Sequence, residues 1–99
     1  MPQRLIVYWR DIPAQVIVRE GRRTERRELP ERFIQAIDQA AMRVGAKDSD
    51  AYLAEWRRGT PEPCGEDMAA EAEAARAALD RDFDQDRLAT LVRNGGRAA

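Results

Sequence analysis

The chain has no histidine, one cysteine and one lysine in 99 residues. Without imidazole there is no Ser–His or Cys–His couple and no histidine-bound metal. A lone Cys64 excludes an intrachain disulfide and any cluster held by several thiolates. No apolar run approaches the ~18–20 residues of a membrane span. Met1-Pro2-Gln3-Arg4 leads straight into a strand-like stretch, unlike a signal peptide. A cytoplasmic, bacterial-type protein is expected, with no membrane association, no metal and no cofactor. These absences favour binding over catalysis, although they leave the question of an enzyme open.

What is present fits one compact domain with a radius of gyration of about 13 Å. The formal charge is −1, but its distribution is uneven. Residues 1–47 carry ten basic and six acidic side chains, and residues 48–99 carry seven basic and twelve acidic. The expected outcome is that the two halves face and neutralise each other, which makes nucleic acid an unexpected partner. All basic residues except Lys47 are arginine, the side chain that forks carboxylates and stacks on rings.

Leu5-Ile6-Val7-Tyr8-Trp9 is a continuous apolar run of strand formers. Arg10-Asp11-Ile12-Pro13 interrupts it, and Pro13 biases Ile12 to extended geometry, so the chain should reverse there. Ala14 to Arg19 reads as a second strand. After a turn at Glu20-Gly21-Arg22-Arg23, the charged segment Thr24 to Glu28 reads as an exposed edge. The expectation is a three-stranded antiparallel meander.

The remainder reads as helix. Pro30 and Glu31 suit a first turn, and Phe33, Ile34, Ile37, Ala40, Ala41 and Val44 form one apolar face before Gly45. A short second helix is expected from about Ser49 to Arg58, capped by Asp48 or Ser49, with Tyr52, Leu53 and Trp56 as its stripe. Residues 60–65 read as a proline-stiffened linker. A helical tail follows, with a bend or break near Asp84–Asp86, because aspartate favours caps over helix interiors. The fold class is therefore α+β. Residues 1–59 form the α+β core, and 60–99 form the linker and C-terminal helical tail of the same single domain.

Two Trp–Arg pairs carry the chemistry that remains. At Trp9-Arg10-Asp11 a ring face, a bidentate cation and an orienting carboxylate lie together on a turn. Trp56-Arg57-Arg58 repeats the theme, and Tyr52 lies one turn before it. If the second helix folds back beside the first strand, Trp9 and Trp56 line one cleft ringed by Arg10, Arg57 and Arg58. The candidate surface is thus Trp9, Arg10, Asp11, Tyr52, Trp56, Arg57 and Arg58, with no catalytic residue assigned. The stretch from Arg19 to Arg32 holds six Arg and four Glu. Its interleaved charges read as a solvated ladder of weak pairs, not a phosphate-tracking patch. Cys64 has only carboxylates as near neighbours in sequence and reads as an incidental thiol. The acidic set Asp80, Asp82, Asp84 and Asp86 lacks the glycine of a calcium loop and reads as solvated charge.

The strings Tyr8-Trp9-Arg10-Asp11-Ile12-Pro13-Ala14-Gln15-Val16-Ile17-Val18, Leu29-Pro30-Glu31-Arg32-Phe33-Ile34 and Tyr52-Leu53-Ala54-Glu55-Trp56-Arg57-Arg58-Gly59 resemble the bacterial "virulence factor" domain family. They also resemble the terminal domain of conserved virulence factor C proteins. The resemblance spans roughly residues 4–59 and implies no catalytic residues. It implies a neighbourhood of folate- and corrinoid-dependent one-carbon enzymes. The expected function is a non-catalytic cytosolic accessory or adaptor domain that binds another protein, an enzyme of one-carbon metabolism being the partner so implied. Two alternatives stand beside it. One is a small subunit completing an active site, with Arg10 and Arg57 gripping an anionic substrate or cofactor. The other is a nucleic-acid-binding regulator linked to virulence gene expression.

Overall fold

A computed structural model describes residues 1–46 and 50–98. The fold is α+β, in the order β1 (Gln3–Trp9), β2 (Ile12–Glu20), β3 (Arg23–Glu28), α1 (Glu31–Arg43), α2 (Asp50–Ala54), β4 (Trp56–Arg58), β5 (Glu62–Pro63), α3 (Met68–Asp82) and α4 (Gln85–Arg93). The sheet is antiparallel with order β3-β2-β1-β4, and β5 also pairs with β1.

The meander of β1, β2 and β3 forms where the sequence places it, but the sheet does not stop at three strands. Residues 56–58, expected as the end of a helix, are strand β4. They pair with β1 as Val7↔Arg58, Tyr8↔Arg57 and Trp9↔Trp56. The expected helix shrinks to α2, which buries none of its residues. Asp48 and Ser49, its expected caps, lie outside the described residues. The physical reason is the open edge of β1: an apolar strand with unpaired backbone groups offers more than a short helix with little to bury. Its groups capture the carbonyl of Glu55 through Arg10 N–H and the N–H of Gly59 through the Ile6 carbonyl. The same edge recruits the linker, since Glu62 and Pro63 pair with Arg4 and Gln3. The linker is therefore part of the sheet.

β-Register divides the sheet into two faces, because directly opposed residues share a face. One face carries Ile6, Val16 and Val18, and α3 covers it with Met68, Ala72, Ala75 and Leu79. The bulge opposite Val7/Tyr8 makes Ala14 the extra residue of β2. It keeps Ile12 opposite Trp9, and over this pair α1 and α4 build the larger core. Phe33 and Ile37 supply the α1 side of that core, each contributing about 1.5–3 kcal/mol by burial.

The tail breaks where its aspartates concentrate. Asp84 caps α4 by accepting a hydrogen bond from Arg87 N–H, and Asp67 caps α3 in the same way through Ala70 N–H. Both helices pack on their own domain, α3 on the sheet and α4 on α1.

Candidate functional site

The turn between β1 and β2 is the junction of the molecule. Arg10 sits in it at φ 52°, a left-handed conformation uncommon for a long side chain. Its surroundings hold it there. The backbone N–H of Arg10 donates to Glu55 O, and its Nη1 donates to Gly95 O at 2.8 Å. Its Nε lies 3.5 Å from the Glu55 carboxylate without hydrogen-bond geometry. Asp11 uses both carboxylate oxygens. Oδ1 accepts from Arg57 at 3.1 Å, and Oδ2 accepts from the backbone N–H of Ala98 at 2.7 Å. The Ala98 hydrogen bond, with Arg57 beside it, holds the Asp11 carboxyl below its ordinary value despite partial burial.

Trp9 lies within the core with no exposed surface, and its indole N–H donates to Tyr52 O at 2.9 Å. The Tyr52 ring stands between the two tryptophans, 5.8 Å from Trp9 and 6.0 Å from Trp56. The structure thus brings Trp9 and Trp56 together as expected, but as strand partners rather than across a helix–strand cleft. Arg57 lies over the Tyr8 ring at 4.4 Å, on the other face from Trp56.

These contacts sort the seven candidates. Trp9, Arg10, Asp11 and Arg57 form a clasp that ties the β1–β2 turn to β4 and to residues 95–98. Gly96 is a tight point in it, with φ 90° and a position where a Cβ would lie 2.9 Å from the Trp9 ring. Arg10 and Arg57 face carboxylates of their own chain. Trp56 and Arg58 remain on the outside, Trp56 half-buried and Arg58 exposed with no charged partner among the described residues. Beside Trp56 a groove of about 380 Å³ opens, lined by Ala14, Gln15, Glu28, Leu29, Glu31 and Ile34. Ile34 is 44% exposed and Leu53 67%.

Sequence reasoning missed this groove because Ile34 belongs to the apolar face of α1 and reads as core. The signal was its position at the margin of that face, three residues before Ile37. Cys64 is partly buried, and burial, followed by the Glu71 carboxylate, pushes its thiol up and away from reactivity. Among the described residues no cluster of acidic or thiol side chains has metal-binding geometry, and no helix is long and apolar enough to cross a membrane.

The fold and this surface define a small α+β domain whose central turn is occupied by internal tethers and whose open features lie around Trp56. By sequence the chain belongs to the "Virulence factor" family, whose profile matches residues 7–92. That match runs past the quoted motifs into α4. No curated protein and no solved structure matches the chain.

Proposed function

We propose that this chain is a non-catalytic cytosolic accessory domain that binds another protein through the surface around Trp56. The supporting observation is a partly apolar groove with Trp56 and the exposed Ile34 on its wall, and Leu53, three residues before Trp56 in the chain, is exposed as well. A half-buried tryptophan on the wall of a partly apolar groove is the kind of side chain that anchors a binding hot spot. The Arg10 and Arg57 guanidiniums engage internal groups, so this reading gives them the task of shaping the surface, not gripping a ligand. An enzyme of folate- or corrinoid-dependent one-carbon metabolism is the partner placed first, on the resemblance of the motifs at Trp9–Val18 and Tyr52–Gly59.

The test is co-purification from the native host, with the retained protein identified and its stoichiometry measured. Wild type should retain one partner near one-to-one, and the Ile34→Asp and Leu53→Asp variants, checked for an unchanged circular dichroism spectrum, should lose it. Equal retention by both variants would remove the groove from the reading, and the absence of any stoichiometric partner would remove the reading itself.

A further inference from the structure

The arginine-rich stretch that reads as a ladder of opposite charges is not one in three dimensions. Strand alternation sends its charges to different faces. On the face covered by α3, Arg27 reaches Glu25 and Glu73, and Arg4 reaches Glu62 and Glu71. The opposite face is arranged in rows by the register: Arg58–Val7–Gln15–Glu28, then Leu5–Ile17–Arg26, then Gln3–Arg19–Thr24. Leu5 and Ile17 are buried in the middle row. Arg19, Arg26 and Arg58 have no charged partner among the described residues, and Arg26 and Arg58 are exposed. The only carboxylate in these rows, Glu28, lies at the groove beside Trp56, with Glu31.

Resting on the protein-docking reading above, we propose that this sheet face receives an extended acidic polypeptide segment with one apolar anchor. The anchor enters the groove between Trp56 and Ile34, and carboxylates of the segment meet Arg26 and Arg19. Charge complementarity selects this occupant. Unpaired guanidiniums favour carboxylates, and the groove supplies an apolar subsite that a bare anion would leave empty. Glu28 and Glu31 repel acid at the anchor end, which sets the direction of the segment. Same-face rows on a strand repeat about every 7 Å, at roughly 3.4 Å per residue. Carboxylates two and four residues from the anchor therefore reach the Arg26 and Arg19 rows. A single-stranded nucleic acid fits less well, because no aromatic ring lies in these three rows to stack bases.

The experiment uses synthetic peptides titrated into the ¹⁵N-labelled full chain. One carries a leucine followed by glutamates at the second and fourth positions after it. A second carries them at the first and third positions, and a third replaces glutamate by lysine. An oligo(dT) 15-mer is the nucleic-acid arm. The first peptide should shift the amides of residues 15–19, 26 and 58 and bind at least fivefold tighter than the other two. That binding should fall at least tenfold in the Arg19→Ser/Arg26→Ser/Arg58→Ser variant. Equal binding of the lysine peptide, indifference to the spacing or to the triple variant, tighter binding of the oligonucleotide, or no binding by any probe would each overturn the proposal. A native partner lost through Ile34→Asp but kept by the triple arginine variant would overturn it as well, while leaving the docking reading intact.

Discussion

Single residues at the β1–β2 turn carry more of the tertiary structure than their neighbours. Asp11 is the clearest case, since one carboxylate holds both Arg57 and the C-terminal segment. A depressed pKa means that its contribution is present above its ordinary value of 3.8 and is lost as pH falls through the lower folded value. An NMR titration should therefore show the Asp11 carboxyl protonating below the ordinary aspartate value of 3.8, with the Ala98 amide shifting in step. Asp11→Asn should weaken this tether and move the Ala98 amide at neutral pH. Gly96 offers a steric counterpart. A side chain there meets both a positive φ and the Trp9 ring, so Gly96→Ala should lower stability by about 1–3 kcal/mol in urea denaturation. An unchanged midpoint would show that residues 95–98 move aside freely.

At the scale of elements, β4 is decided by its partner. Trp56-Arg57-Arg58 has no strand alternation that the chain could use alone, and its neighbours Tyr52 and Leu53 suggest a helix. The edge of β1 overrides that local preference. Amide exchange should find the Gly59 N–H protected, because it donates to Ile6 O at 2.7 Å, whereas a frayed helix end would exchange quickly. Gly59→Ala would bring a Cβ within 3.2 Å of the same carbonyl oxygen and of the Tyr8 ring, and should destabilise this edge. In the tail, the Asp84 cap separates α3 from α4. Asp84→Ala should cost about 0.5–2 kcal/mol, read from thermal unfolding.

For the molecule as a whole, residues 1–59 and 60–99 share their buried clusters. Val16 and Val18 need Met68 and Ala72, and Trp9 and Phe33 need Leu88 and Leu91. A fragment of residues 1–59 should therefore lack dispersed amide signals and a cooperative thermal transition. A folded fragment would show that α3 and α4 are ornaments of a self-sufficient sheet. The charge imbalance between the halves is also settled at this scale. Part of the basic excess meets the acidic helices, as in Arg27 with Glu73 and Arg32 with Asp80 at 2.7 Å. Arg19, Arg26 and Arg58, on the opposite face of the sheet, meet no charged partner among the described residues.

The sequence alone determined what depends on local periodicity and on simple exclusion. The apolar run at Leu5–Trp9, the stripe of Phe33 and Ile37, the charged edge at β3 and the aspartate break near Asp84 are all legible. Each follows from side-chain spacing or capping within a few residues. Tertiary structure decided whatever depended on a distant partner. It turned Trp56–Arg58 into a strand, drew the linker into the sheet and buried Trp9 behind a clasp that ends at residue 98. It also placed Arg27 and Glu25 on the face under α3, where Arg27 pairs with Glu25 and Glu73, and Arg19 and Arg26 on the opposite face without a charged partner among the described residues. A strand's register is a property of two segments, so no reading of Arg19 to Arg32 by itself could show which of those charges would find a partner.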